Sequence, residues 1–469
     1  MGGRREEETP AAFGSARVFA MIFNALPEAL RDGADDTAEM DPASPSNSPE
    51  RPPAGDDAIP MWMSSTLNAK QKARMATEKQ ENFVENEEHK PMPEKYLEHD
   101  GGTVHKPNMV WELPERPDEA DPAYKGPKSK CLSQAFSPDG KLIAVGLTTG
   151  GVQIVNLTGN EPVAAREIRV AEKRDNDPVT TVRFHPKSAD PSRRNVLLSC
   201  TSNGKVRLYH ATTGQTLGKL KENNKIFASG FMRDGSFFVT GGEDACLRVY
   251  DYQRRQVVRE IEPGSRLNMG HTSNVYCICP HPTDSNLFVS SGWDCCMNMW
   301  DLRLKLPAVR AHGPYVCADS IDMSVDRPHE LISGSRTTSE NLQLWDVRVL
   351  SSSVVGQMNL QTNLPFKKHA QEPPCLLFAA RFVNGDEVFG ERCIISGGGG
   401  ENPAVRLFHR DIHCNVGSIK TNGSAVYAID VHNHTHNHAK STNKVAVLFS
   451  DRIKLFDNSK MPAPRWNHA

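Results

Sequence analysis

One unit recurs seven times between residues 131 and 458: two short apolar runs flank a polar turn, and the second run ends on a bulky residue. The clearest copy is 289–303, Val-Ser-Ser-Gly-Trp-Asp-Cys-Cys-Met-Asn-Met-Trp-Asp-Leu-Arg, in which residues 287–291 and 297–300 flank a turn centred on Asp294 and Cys295. That is the pattern of a hairpin of two short strands. A third run, 275–279, lies upstream, preceded by Gly270-His271 and followed by His281-Pro282. Together these read as three strands of one sheet, with His271 before the first, Ser290 in the second, Asp294 in the turn and Trp300 in the third.

Such a His–Ser–Asp–Trp set resembles the WD40 repeat, whose strands form one blade of a β-propeller. Within a blade the set would be a hydrogen-bonded chain that satisfies otherwise buried polar atoms. Aligned on Trp300, the other copies place Val155, Tyr209, Tyr250, Trp345, Phe408 and Phe456 in the same slot, at intervals of 54, 41, 50, 45, 63 and 48 residues. These are near the standard repeat length once loop insertions are allowed, so the expected fold is all-β, a seven-bladed WD40 propeller over 131–458. Partial sets remain in repeat 3 (Thr240, Asp244, Tyr250) and repeat 2 (Ser199, Asn203, Tyr209). All read as structural. A Ser inside a blade is out of reach of substrate and cannot serve a catalytic triad.

A ring of sheets must fasten its ends. After Phe456 only 13 residues remain, Pro462 and Pro464 among them, so the tail 459–469 is a poor strand. The outermost strand of the last blade is therefore expected from the N-terminal side, near 103–112 and best at 109–112. Long insertions at 189–194, 326–330, 351–374, 384–391 and 432–443 are expected as rim loops, where repeat proteins carry binding specificity.

Upstream of the repeats, residues 1–63 form an acidic leader rich in Ala, Pro and Ser, expected to be disordered because it offers too little apolar surface to offset chain entropy. Ser44 and Ser48 each precede Pro and suit proline-directed phosphorylation, and 18–30 could form a short amphipathic helix. Residues 64–89, free of Gly and Pro and rich in Lys, Gln, Ala and Glu, read as a charged helix, with a Pro-rich linker over 90–130. Residues 1–130 hold 16 Lys or Arg against 25 Asp or Glu, a net of −9, which leaves +7 on the remaining 339 residues. That excess is small for nucleic-acid binding. No apolar run reaches membrane-spanning length, and the stretch 18–26 follows Glu6, Glu7 and Glu8, the wrong sign for a presequence. Glu6 also stands where a myristoylation signal starting at Gly2 wants Ser or Thr.

Eleven cysteines without a C-x-x-C pair read as free thiols of a reducing, intracellular setting, cytoplasmic or nuclear, with cilium or cytoskeleton as options. Cys277 and Cys279 share a strand face and could meet a metal, but core packing is the simpler reading. His432, His434, His436 and His438 alternate and would share one side of an extended segment, which could chelate a transition metal; a polar loop is the simpler reading. Gly397–400 follows a strand without a Lys-Ser or Lys-Thr and reads as a turn rather than a phosphate cradle.

Two adjacent repeats end Trp300-Asp301-Leu302-Arg303 and Trp345-Asp346-Val347-Arg348. This resembles the motif of substrate receptors of cullin-4 ubiquitin ligases, which would place Arg303 and Arg348 against the ligase adaptor. Local salt bridging is the alternative. Taken together, the resemblance implies a non-enzymatic scaffold without cofactor or small-molecule substrate, docking proteins or peptides on the propeller rims, with the ligase receptor as the other reading.

Overall fold

The computed structural model describes residues 103–115, 128–159, 161–168, 177–186, 193–265, 269–337, 339–348, 356–357, 359–364, 375–383, 393–411, 413, 415–434 and 442–457. The leader 1–63, with Ser44, Ser48 and the 18–30 stretch, the 64–89 segment and the tail 459–469 lie outside the described residues.

Seven sheets, each an antiparallel meander at its core, make seven blades. Their first strands are Cys131–Phe136, Val179–Phe184, Ile226–Phe231, Val275–Pro280, Ile321–Met323, Cys375–Val383 and Ala428–His434. Each first strand touches the next, and the seventh returns to the first, so these strands line a central channel. Each interface between neighbouring blades holds its own apolar layer, seven layers in all. The slot residue that defines the repeat explains its own recurrence. Trp300 packs with Phe288 against Val239, Leu247 and Val249 of blade 3, and Trp345 packs against Val289 and Met299 of blade 4. In every blade this residue fills the layer shared with the preceding blade, where a large buried side chain contributes about 1.5–3 kcal/mol.

The ring closes through the N-terminal segment. Met109–Glu112 pairs antiparallel with Arg452–Asp457 as the fourth strand of blade 7. Its alternation matches that position, with Met109 and Trp111 buried in the layer between blades 7 and 1 and Val110 facing out. Just upstream, Thr103–His105 lies parallel to Asn415–Ile419 on the outer edge of blade 6.

Three expectations are corrected. The insertion 351–374 is not only loop: Asn359–Asn363 is the fourth strand of blade 5, and Gly356–Gln357 adds in parallel to the fourth strand of blade 4. An outermost strand needs backbone pairing on one side only, so no apolar alternation marked it. Gly397–Gly400 are strand residues at the end of Cys393–Gly400, not a turn. A Cβ on Gly398 would overlap the carbonyl oxygen of Leu376, where the facing strand bulges between Leu377 and Ala379; Gly292 meets the carbonyl of Asn274 in the same way beside the blade 4 bulge. The glycines are there for close approach of two backbones. Finally, His432 and His434 belong to the strand Ala428–His434, paired with Lys444 and Thr442.

Candidate protein-interaction site

The upper face of the ring carries the entries to the first strands and the turns between second and third strands. In blade 4 it is held by the His271–Trp300 set. Trp300 Nε1 donates to Ser290 Oγ at 2.7 Å, Ser290 Oγ lies 2.6 Å from His271 Nε2, and His271 Nδ1 lies 2.8 Å from Asp294 Oδ2. The Asp294 carboxylate can only accept, so Nδ1 carries the proton; a neutral imidazole then accepts the Ser290 hydroxyl at Nε2, while Ser290 takes the indole N–H on a lone pair. Asp294 also accepts the backbone N–H groups of Thr272 (3.1 Å) and Cys296 (3.2 Å), fixing the turn whose Cys295 has a positive φ of 54°. Burial alone would raise the Asp294 carboxyl; the hydrogen bond and electrostatic attraction of His271 together with the Thr272 and Cys296 N–H groups outweigh it, and the carboxyl sits below its ordinary value. Ser290→Ala strands the indole N–H and the imidazole nitrogen in a dry layer, and is expected to lower stability by about 1–3 kcal/mol. Urea unfolding monitored at the Trp300 fluorescence checks this, and an unchanged midpoint would contradict it.

Blade 3 solves the same problem with a different residue. Thr240 Oγ1 donates to Glu222 Oε1 at 2.6 Å and Tyr250 donates to the same oxygen at 2.9 Å, while Asp244 is tied in through Arg248 at 2.7 Å. Burial raises the Glu222 carboxyl above its ordinary value, against those bonds. Sequence reasoning missed Glu222 and Arg248. The signal was present, since Glu222 precedes its first strand by the same four residues as His271 does. Blade 5 keeps the Ser–Trp half, Trp345 Nε1 donating to Ser333 Oγ at 2.8 Å, and Ser333 was likewise missed. In blade 2 no hydrogen bond among the described residues joins Ser199, Asn203 and Tyr209. Asn203 turns outward to Asp177 at 3.2 Å, and Tyr209 packs in the apolar layer against blade 1.

Beside the channel mouth an aromatic row crosses blades 3 to 5. Phe227 and Tyr276 stack with centroids 4.8 Å apart and planes 6° from parallel, Tyr276 meets Trp293 at 5.0 Å, and Trp293 stacks on Tyr315 at 6.1 Å. Phe227, Trp293 and Tyr315 are part-exposed. The row borders a cavity of about 650 Å³ lined by residues of the channel wall, Thr180, Arg183 and Asp319 among them. Deeper in, Arg183 of blade 2 reaches Asp319, at the entry of blade 5, at 2.6 Å, and Arg381 of blade 6 bonds the same carboxylate. Blades 2 and 5 are not neighbours, so this cluster braces the channel from wall to wall.

On the lower face Arg303 and Arg348 follow the third strands of blades 4 and 5. Each folds back as a fork on its own blade's aspartate, Arg303 on Asp301 (2.6 and 2.8 Å) and Arg348 on Asp346, and both side chains remain more than 60% exposed. The Arg303 hydrogen bond holds the Asp301 carboxyl below its ordinary value.

Of the alternating histidines, His432 is half-buried 6.0 Å from the Phe136 ring and over Gly140; His436 and His438 lie outside the described residues, and of His434 only the backbone is described. Cys277 and Cys279 are buried in the layer between blades 4 and 5, and burial pushes both thiols up. No group of three or more metal-ligating side chains occurs among the described residues. No described helix is long and apolar enough to cross a membrane.

Seven sheets around a channel, each built on a four-stranded antiparallel meander and the last completed by a strand from the N-terminal side, define a β-propeller. The WD domain, G-beta repeat family matches residues 214–251 and 264–301. Each match runs from the fourth strand of one blade, or the connection that follows it, to the third strand of the next. The chain thus carries WD40 repeats in a seven-bladed β-propeller. It is similar to the methylosome protein WDR77 of Xenopus laevis, 25% identical over 185 residues, covering 37% of this chain and 52% of that relative. It is also similar to the mRNA export factor GLE2 of Chaetomium thermophilum, 25% identical over 201 residues (42% and 48%). A third relative is a ribosome biogenesis protein WDR12 homolog of Drosophila mojavensis, 24% identical over 260 residues (54% and 58%). The chain thus spans about half the length of the curated relatives it matches.

Proposed function

We propose that this chain is a non-enzymatic scaffold that binds a segment of a partner protein on its upper face, over the row Phe227–Tyr276–Trp293–Tyr315 and the channel mouth. The observation that carries this is the row itself: part-exposed aromatic side chains, fixed against one another across three blades and beside a concavity, supply contact area with little entropy left to lose. The relatives named for methylosome, mRNA export and ribosome biogenesis support an intracellular setting, cytoplasmic or nuclear. The channel charges are committed to one another, which supports a structural role for them rather than chemistry on a substrate.

A second reading, the cullin-4 receptor, draws support from the exposure of Arg303 and Arg348 at equivalent turns of adjacent blades. One capture experiment separates the two. Tagged full-length chain is compared with Phe227→Ser/Trp293→Ser and with Arg303→Asp/Arg348→Asp, each checked for folding by its thermal midpoint. The scaffold reading expects partners to fall about tenfold on the first variant and to stay on the second. Loss of the cullin adaptor on the second variant alone would favour the ligase reading; retention of all partners by the first would sink the upper-face site.

A further inference from the structure

Six large apolar side chains are exposed on the described residues, and three of them lie on one flank: Val257 (45%), Val258 (49%) and Leu304 (49%). Val257 and Val258 begin the fourth strand of blade 3, Gln256–Ile261, and Leu304 sits in the turn after the third strand of blade 4. Arg259 joins the two elements, donating to the carbonyls of Leu302 at 3.1 Å and Lys305 at 3.2 Å. Between them opens a groove of about 580 Å³ bordered by Ile261, Trp300 and Pro307.

The fourth strand of blade 3 pairs with Leu247–Asp251 on one side, and no described strand pairs with its other side. Sheet edges are usually blunted by Lys, Pro or a covering segment. Blade 2 has exposed Lys219 and Lys221 on its edge, and blades 4 and 6 are covered by the parallel segments Gly356–Gln357 and Thr103–His105. Blade 3 offers Val-Val instead. The chain therefore lays extended segments on two blade edges of its own; among the edges without one in the described residues, that of blade 3 carries two adjacent exposed valines, where blade 1 carries Val163.

Charge says what fits there. The lower end of this flank carries Arg254, Arg255 and Lys305, all exposed, with Arg254 4.0 Å from Asp251, while Arg303 is shared between Asp301 and Asp284. Of the nearby acids, Asp251 caps its own turn through the N–H groups of Gln253 and Arg254, Asp301 is held by Arg303, and Glu260 pairs with Arg248 at 2.9 Å. Glu262 is exposed at the opposite, upper end.

We propose that the open edge at Gln256–Ile261 binds an extended segment of a partner protein that alternates β-branched and acidic residues, added as a further strand of blade 3. Period-two alternation puts the β-branched side chains toward Val257, which lies opposite Tyr250 and shares its face, and turns the carboxylates to the other face, toward Lys305 of blade 4, with Arg254 and Arg255 at the start of the strand. Backbone pairing would supply affinity, and the guanidinium groups, which accept carboxylates as forks, would supply selection. This surface is separate from the upper-face row, and either can fail without the other.

The test uses the full chain and a fluorescent peptide of alternating Glu and Val, followed by anisotropy and by hydrogen exchange of the 256–261 amides. Saturable binding with slowed exchange at those amides is expected, as is a loss of about tenfold or more with Val257→Asp and with Arg254→Glu/Arg255→Glu. Phe227→Ser/Trp293→Ser should bind as the unchanged chain does. Equal binding of a control peptide of alternating Lys and Val, protection elsewhere with 256–261 unchanged, or binding of oligouridylate in place of the peptide would each overturn it.

Discussion

A chain beginning at residue 120 is expected to lose the closed ring, and one beginning at residue 96 to keep it. The difference is Met109–Glu112, the fourth strand of blade 7. Its loss uncovers Arg452–Asp457, removes the pairings from Met109–Leu455 to Glu112–Arg452, and withdraws Met109 and Trp111 from the layer between blades 7 and 1. Burying those two side chains contributes about 3–6 kcal/mol by area alone, comparable with much of a domain's net stability. The consequences spread, because Ile453, Leu455, Leu448 and Phe136 share that layer. A ring opened at one joint also lets its two end blades fray. Urea unfolding and limited proteolysis of both chains check the prediction. An unchanged urea midpoint for the shorter one would mean that the first and last blades close without this strand.

Replacing Arg381 by Met is expected to cost about 3 kcal/mol at neutral pH, at the low end for a broken buried pair because Arg183 still reaches Asp319. Arg381 also donates to the carbonyls of Asp319 at 3.0 Å and Ile321 at 3.2 Å, so blades 5 and 6 lose a backbone clamp as well as a charge. The pH dependence identifies the cause. Burial alone would raise Asp319, but Arg183 and Arg381 hold it at about 2. Its folded value lies below the unfolded one, so its contribution is present above about pH 4 and is lost as pH falls toward 2. Asp322 is the opposite case: burial pushes it up to about 6 in spite of Arg381, so the folded chain takes up that proton first and stability is lost as pH rises from about 4 to about 6. Burial raises Asp430 too, and Arg381 pulls it down. Without Arg381 these carboxylates lose their counter-charge, and protonating them removes the cost. The deficit of Arg381→Met should therefore shrink markedly between pH 7.5 and pH 4 in paired urea titrations. A deficit independent of pH would assign Arg381 a packing role only.

Asp322 and Asp430 share one geometry that no local pattern announces. Asp322 accepts the N–H of Phe382 at 2.9 Å and Asp430 that of Phe136 at 2.7 Å, each reaching from the first strand of its own blade to the first strand of the next. The partners are 60 and 294 residues apart. The His271–Trp300 set, by contrast, spans one repeat, so its spacing is visible in the chain. Glu222 stood at the same offset and went unread because a carboxylate was not looked for in a position that resembles the family's His. Asn203 met the spacing of a partial set, yet the geometry sends it to Asp177, because turn residues of like type take whichever partner their exposure allows.

The sequence by itself determined the unit and its number. A strand that must bury one bulky residue against the preceding blade repeats that residue, and the interval between such residues shows where each blade ends. It also pointed to the closing strand, since Met109-Val110-Trp111-Glu112 reads as an extended piece ahead of the repeats. What only the tertiary structure decided is how the blades are joined around the ring: the Arg183–Asp319–Arg381 brace across the channel, the aromatic row over blades 3 to 5, and which blade edges carry an added segment. Those contacts depend on the curvature of the closed ring, which sets distances between residues whose separation along the chain carries no period.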